Sequence, residues 1–335
     1  MRLKLISPYC LMVALASVPT WNLANAGPES ISETEIKHRA EISTLQRIEK
    51  DFDFDWNRYV TIEPNKLKIA NVEAFIATLG DPVTLSLLDR QALGKIFYKL
   101  GTFYTHIERK SDLAIAKLSK ADQLLSIPKD KAWIYNHLAY AYEQKFAASK
   151  NVIDKKRALD FTHKVIAVLY PGHRNQEVAF AYCVRGLIHN DAKDFDHAEK
   201  NYRLALHLYE KMPNGKDDQY ARAKNRLAHI ILDQTGREKE ALTLLEEVKN
   251  YWQTSGKITH DPYAARNLLS LGEAYLKVGN AIHARREFEN AILIYKNVYG
   301  QDNDMLAKPY QLLAAANQKI RALEQASLGE DQLTK

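Results

Sequence analysis

Small and large apolar residues occupy fixed places along the chain, most visibly between Leu271 and Tyr295. This segment reads LGEAYLKVGNAIHARREFENAILIY and sets Gly272, Ala284 and Ala291 among large apolar side chains. A lone helix gains nothing from small residues at such places. Two antiparallel helices need them, because small side chains let the backbones approach while large ones fill the gaps on either side. The pattern therefore predicts pairs of closely packed helices.

The same arrangement recurs along the chain, which predicts a repeat protein. We number the positions of one repeat from residue 265, which is place 1 of this frame. Small residues then occupy places 8, 20 and 27, and large ones occupy places 4, 7, 11 and 24. Further copies start near residues 94, 132, 179 and 221, some of them with inserted residues. Because neither helix of a pair buries its apolar face alone, neighbouring pairs must complete the core.

This pattern resembles the tetratricopeptide repeat, and in particular the longer-helix version found in kinesin light chains. The starts at 179, 221, 265 and 307 lie 42, 44 and 42 residues apart, and the segment THDPYAARNLLSLGEAY carries the likeness. The resemblance covers residues 94–326, about two thirds of the chain. It implies an all-α fold, a right-handed α-solenoid of about five helix pairs with an N-terminal helical cap and a C-terminal capping helix.

The predicted organisation has several consecutive parts. They are a signal peptide at residues 1–26, an irregular helical cap at 27–92, the solenoid at 93–304, a capping helix at 305–326 and a tail at 327–335. Residues 30–92 are helical in composition but fit the frame poorly, so we interpret them as a cap rather than a separate enzyme domain. The Asp261-Pro262 pair predicts the start of the last repeat, as an N-cap followed by Pro at the first helical position.

The first 26 residues predict export. A basic start, Arg2 and Lys4, precedes an apolar run at residues 11–21, and an A-x-A site ends at Ala26. We expect cleavage after Ala26 and a periplasmic or secreted protein. A membrane anchor is the alternative, but the run is shorter than the ~20 apolar residues that a span needs. No later segment is apolar enough to cross a bilayer, so we expect no transmembrane span in the mature chain.

Charge and cysteine content narrow the choice of partner. The chain of 335 residues carries 47 Lys+Arg against 41 Asp+Glu, a net charge of +6. So small an excess is weak support for a nucleic-acid partner, and export weakens it further, so we expect none. Once Cys10 is removed with the signal peptide, Cys183 is the remaining thiol and no internal disulfide can form.

No motif in the sequence indicates a catalytic residue, a cofactor or a metal. The sequence contains no G-x-S-x-G, no Walker A loop and no G-x-G-x-x-G. The histidines show no HExxH and no paired ligand spacing. The DFDFD run at residues 51–55 mimics the start of a calcium loop, but Trp56 and Ile62 stand where that loop needs Gly and Glu. We therefore expect a protein that is not an enzyme.

The resemblance also implies a concave groove lined by the first helix of each repeat. Transferred to this chain, the groove positions give a set of candidates: Trp133, Asn136, Tyr140, Phe180, Arg222, Asn225, His229, Arg266 and Lys277. Asn136 and Asn225 sit where the family often uses Asn to grip a peptide backbone, since one amide side chain can donate and accept at once. Arg222 and Arg266 favour a protein or peptide partner with acidic groups or a free C-terminus.

These expectations together indicate a non-enzymatic scaffold or adaptor of the bacterial periplasm, which binds an extended peptide or a protein in its concave groove. One alternative is a sensor module that acts with a separate membrane signalling partner. Another is an enzyme without a recognisable motif. A third is that the groove residues are ordinary surface and the partner binds another face.

Overall fold

The computed structural model describes residues 44–52, 62–169, 176–301 and 303–333. All of these except Thr44 belong to one compact unit, Leu45–Lys335. Secondary structure in the described ranges is helical throughout, without a strand, and this confirms the all-α solenoid. The predicted signal peptide, most of the DFDFD run and the N-terminal part of the predicted cap lie outside the described residues. No helix in these ranges is both long and apolar enough to span a bilayer.

A short helical stretch at residues 44–51 precedes the helices that build the solenoid. These are α1 Ile62–Thr78, α2 Leu87–His106, α3 Ser111–Leu124, α4 Pro128–Ser149, α5 Val152–Val168, α6 Gln176–Asp191, α7 Phe195–Glu210, α8 Asp218–Leu232, α9 Glu238–Thr254, α10 Pro262–Lys277, α11 Ala281–Tyr299 and α12 Ala307–Leu333. Short 3-10 helices at Pro82–Thr84 and Asp304–Leu306 lead into α2 and α12.

Helices α2 to α11 pack as consecutive pairs: α2 with α3, α4 with α5, α6 with α7, α8 with α9, and α10 with α11. The second helix of each pair also packs against the first helix of the next pair, and successive first helices touch each other. Short connections of this kind make neighbouring helices antiparallel. Helix α12 packs on α11 and α10 and continues to Leu333, past residue 326 where the sequence predicted a tail.

Polar side chains fix where several of these helices begin. The Asp261 side chain accepts a hydrogen bond of 2.7 Å from the backbone N–H of Tyr263, with Pro262 in the first turn of α10. Asp217 accepts in the same way from the N–H groups of Gln219 and Tyr220 at the start of α8. Such caps satisfy N–H groups that have no partner inside the helix, so they set the register of the residues that follow.

In three of the five pairs the two helices approach closely at a glycine of the first helix. A Cβ atom added to Gly272 would lie 2.3 Å from Cε1 of Phe288, and one on Gly186 would lie 2.6 Å from Cε2 of Tyr202. At Gly101 the nearest atom, Cγ of Leu118, would be 2.5 Å away. Real Cβ atoms do not approach carbon atoms so closely. The small residue at place 8, a glycine in three pairs and Ala139 or Ala228 in the other two, therefore sets how closely the two helices of a pair approach.

Replacing Gly272 with Ala tests this contact. Alanine favours a helix over glycine by about 1 kcal/mol, so helix propensity alone would stabilise the variant. We expect the clash with the buried ring of Phe288 to outweigh this gain and to lower the free energy of unfolding by roughly 1–3 kcal/mol in urea titrations.

Gly80→Ala is the matched control, because a Cβ atom at Gly80 would have no neighbour within 4 Å. Its free energy of unfolding should stay within about 0.5 kcal/mol of the wild type. If Gly272→Ala were as stable as Gly80→Ala, close approach at place 8 would not hold the pairs together.

Candidate binding groove

Adjoining cavities of about 420, 980 and 70 Å³ form one groove along the first helices α4, α6, α8 and α10. We call this surface the groove. Arg109, in the loop after α2, borders the 980 Å³ cavity, and Lys308, at the start of α12, borders the 420 Å³ cavity. Leu187 of α6 and Arg226 of α8 line all of these cavities, so they mark its centre.

Arg226 is the central charged group of the groove. It is partly buried, and within the described part of the chain it forms no hydrogen bond and no ion pair. The phenols of Tyr202 and Tyr140 and the carboxyl of Glu143 act on it electrostatically. A guanidinium carries donors in a fixed fork that suits a carboxylate. Arg226 is therefore available to an anionic group that enters the groove.

A pair of carboxyl groups lies on the α4 and α6 side of the groove. Glu143 is only 4% exposed and hydrogen-bonds the carboxyl of Asp191. Burial, and then the hydrogen bond and negative charge of Asp191, raise the pKa of Glu143 well above its ordinary value. Since this shift favours the protonated form of Glu143, it weakens the negative charge that faces the arginines nearby.

Arg222 and Arg266 both lie against the ring of Tyr263 in α10. The guanidinium carbon of Arg222 is 3.5 Å from the ring centroid, and that of Arg266 is 5.5 Å from it. Stacking of this kind restricts the conformations of a long side chain. Arg266 lines the two larger cavities, whereas Arg222 lines only the smallest, and its Nε is buried without a partner among the described residues.

Comparison with known proteins identifies the fold. No protein-family model matches the chain, and no curated protein is significantly similar in sequence. Solved structures do match: the apo form of RapI is 12% identical, with 85% of this chain and 99% of that chain covered, at a TM-score of 0.50. The Rap conjugation gene regulator of the plasmid pLS20, solved with the Phr* peptide, is 17% identical and covers 89% of this chain and 81% of its own, at a TM-score of 0.49.

A third match is a Podosopora anserina putative kinesin light chain with TPR-like repeats. It is 15% identical and covers 61% of this chain and 95% of its own, at a TM-score of 0.45. The chain has a tetratricopeptide-like solenoid fold. At these identities the matches establish the fold alone.

The solenoid brings most of the predicted groove residues together. Asn225, His229 and Arg266 line the 420 Å³ cavity, and Tyr140, Phe180 and Arg222 line the 70 Å³ cavity. Sequence reasoning missed Arg226, because it falls between the places of the frame that the family uses for binding. Its one signal was its position directly after Asn225.

Asn136 lies outside the residues that line the groove cavities, because its side chain serves the packing between repeats. Asn136 is fully buried, and its Nδ2 donates to the backbone oxygen of Glu177 at 2.9 Å, which ties α4 to the start of α6. Asn225 is 7% exposed and its Oδ1 accepts from Nδ2 of Asn267 at 3.1 Å, although it still borders the cavity. The position-5 asparagines therefore act first as ties between neighbouring first helices.

Trp133 and Lys277 lie outside the residues that line the groove cavities. The ring of Trp133 stacks on His137 with centroids 6.1 Å apart and lies equally far from Phe180. The ammonium of Lys277 donates to the backbone oxygen of Leu232 and lies 3.5 Å from a carboxylate oxygen of Asp233, at the end of α8. Neither residue is placed to line the ligand space that Arg226 centres.

Cys183 is not a nucleophile in this environment. It lines the smallest cavity, and burial raises the pKa of its thiol to about 12. The thiolate is the reactive form of cysteine, so at neutral pH the side chain stays in its inert protonated form.

A pair of histidines next to the groove was not foreseen from the sequence. Nε2 of His106 and Nδ1 of His137 are 3.1 Å apart, so one ring donates to the other when both are neutral. Burial, and then the charges of Arg222 and Arg109, lower the pKa of His106 to about 4. Burial, and then His106, lower the pKa of His137 well below its ordinary value. Both rings are therefore neutral at pH 7.

The pair predicts a loss of stability in acid. In the unfolded chain a histidine takes up its proton near pH 6.5, whereas folded His106 resists until about pH 4. Because the unfolded state binds the proton first, the free energy of unfolding should be unaffected above pH 6.5 and should fall as the pH drops toward 4. In urea titrations at pH 7.5, 6 and 5, His106→Gln should show a shallower fall than the wild type.

His163→Gln, at an exposed position of α5, serves as the control and should keep the wild-type pH dependence. A His106→Gln variant with the same pH slope as the wild type would mean that the buried pair does not govern acid stability.

Proposed function

We propose that this protein is a non-enzymatic interaction protein that holds an extended segment of a partner protein in the groove. The observation that carries this function is Arg226, an unpaired guanidinium within the described chain that lines every cavity of the groove. A partly desolvated arginine without a partner is costly to the folded protein, and a bound carboxylate would offset that cost.

The groove offers complementary groups for a peptide. Arg226 and Arg266 suit an acidic side chain or a free C-terminus, because both present planar donors. Asn190 borders the same cavity and supplies an amide group for a peptide backbone, and Asn225, whose Oδ1 already accepts from Asn267, borders it as well. Tyr140 and Phe180 add apolar surface in the adjoining cavity. We infer a ligand that carries its negative charge beside an apolar side chain.

The groups in the groove favour binding over catalysis. The Cys183 thiol stays protonated, and the Glu143 carboxyl, whose pKa is raised, is hydrogen-bonded to Asp191. Charged groups of both signs and hydrogen-bonding groups along an elongated surface suit the recognition of an extended polypeptide.

We also propose export, from the sequence of the first 26 residues. The mature protein should begin at Gly27 and carry one free thiol, Cys183. Intact-mass measurement of the protein from native cell envelopes checks both points. A mass that includes residues 1–26, or one that requires an added lipid, would contradict a cleaved signal peptide.

The groove is tested with a peptide selected against the full chain from a library of acidic peptides with free C-termini. Replacing both Arg226 and Arg266 with Gln should weaken binding of that peptide at least tenfold, roughly 1.4 kcal/mol, in titration calorimetry. Comparing the affinities of the peptide with a free and with an amidated C-terminus shows whether the arginines bind its C-terminal carboxylate or an acidic side chain. Circular dichroism of the variant should match the wild type.

The matched control is Lys155→Ala with Lys156→Ala, which removes the same charge from α5, outside the cavities of the groove. That double variant should bind within about twofold of the wild type at 0.15 M salt, where exposed charges are screened beyond ~8 Å. Equal weakening in both double variants would leave only general electrostatics and would contradict the groove.

A further inference from the structure

Three potential metal ligands meet at the turn between α6 and α7. His189 lies in the last turn of α6, Asp194 is the N-cap of α7, and His197 lies in the first turn of α7. One ligand atom from each lies within 4.8 Å of the others. The cluster is separate from the residues that line the groove cavities.

The carboxylate of Asp194 bridges the two imidazoles. Its Oδ2 is 3.0 Å from Nδ1 of His189, and its Oδ1 is 2.8 Å from Nδ1 of His197. The two rings are stacked, with centroids 5.1 Å apart and an angle of 22° between them. Both Nδ1 atoms therefore lie within hydrogen-bonding distance of one carboxylate.

The two distances between Asp194 and the imidazoles are close to those of a coordination shell, and all three ligand atoms lie within 4.8 Å of one another. Zinc binds His nitrogen and carboxylate oxygen at about 2.0–2.2 Å, which puts neighbouring ligand atoms of a tetrahedral site roughly 3.3 Å apart. The distances from the Asp194 oxygens to the imidazoles need to lengthen by only a few tenths of an ångström. The side chain of His197 is 64% exposed, so a water molecule can reach the remaining coordination position.

The backbone holds the three residues in place. The N–H of Asp194 donates to the carbonyl of His189 at 2.9 Å, and Lys193 adopts a left-handed conformation with φ 61° that closes the turn. The carbonyl of Asp194 accepts from the N–H of Ala198 at 3.0 Å, which opens the regular hydrogen bonding of α7. Ligands on two helix ends with a fixed turn lose little freedom on metal binding.

We propose that His189, Asp194 and His197 form a binding site for a divalent transition-metal ion, with Zn²⁺ as the representative ion. Two imidazoles and one carboxylate suit zinc and its neighbours in the transition series, whereas Ca²⁺ and Mg²⁺ prefer oxygen ligands throughout. On binding, each Nδ1 gives its lone pair to the metal, and any proton it carried leaves to solvent or moves to Nε2.

Lysines near the site oppose a cation but do not block it. Lys155 of α5 acts on His189 electrostatically, and the ammonium of Lys193 lies 5.9 Å from the Phe195 ring centroid. Both are long side chains at the surface, where solvent screens their charge. Asp194 supplies the negative charge at the centre of the cluster.

The test is titration calorimetry of the untagged full chain with Zn²⁺ alone, at pH 7.5 in a buffer that does not bind metals. We expect one saturable site per chain for Zn²⁺ and none for Mg²⁺. His197→Ala and Asp194→Asn should each weaken zinc binding at least tenfold. Asparagine caps helices as well as aspartate does, so Asp194→Asn changes the ligand and keeps the cap.

His207→Ala is the control, because His207 is an exposed histidine farther along the same helix. It should bind zinc as the wild type does. Absence of a saturable site, or equal weakening by His207→Ala and His197→Ala, would overturn the assignment. Melting temperatures of the metal-free variants verify that each is folded, so that a loss of zinc binding reflects the ligands.

Discussion

The close approach of the two helices in each pair is the constraint on which the rest of the structure depends. Gly272 lies so near Phe288 that no side chain fits between them, and Gly186 meets Tyr202 in the same way. This contact sets the distance between the helices and buries the large ring on the second helix. Since every pair leaves an apolar side uncovered, the next pair must pack on it, and α12 covers the last pair.

Stacking the pairs in this way aligns the first helices, and the groove follows from that alignment. The residues that line it come from distant parts of the chain, as Arg109 and Arg266 do in the largest of its cavities. Packing fixes the backbone, so the groove residues can keep unpaired or buried polar groups that the core would not tolerate. Arg226, without an ion pair in the described chain, and the buried carboxyl of Glu143 beside Asp191 are such groups.

The sequence predicts the fold well, because the contact between Gly272 and Phe288 is local and recurs with the repeat. It predicts the site only in part. Asn225, His229 and Arg266 do meet in one cavity, but Asn136 turns into the contact between α4 and α6. Whether a side chain at the edge of a helix face lines a cavity or packs on the next repeat depends on the rotation between repeats, which no local pattern encodes. For the same reason Arg226 was missed, whereas the cluster around Asp194 was missed because its spacing matches no common ligand motif.

The central claim is that a ligand lies along the first helices with its negative charge at Arg226. Photo-crosslinking tests this most directly, with a selected acidic peptide that carries a photoreactive residue beside its carboxylate, and with mass spectrometry to locate the attached residues. Crosslinks should fall on α4, α6, α8 and α10 and should be lost when unmodified peptide competes. Competable crosslinks confined to the second helices α5, α7, α9 and α11 would contradict the account.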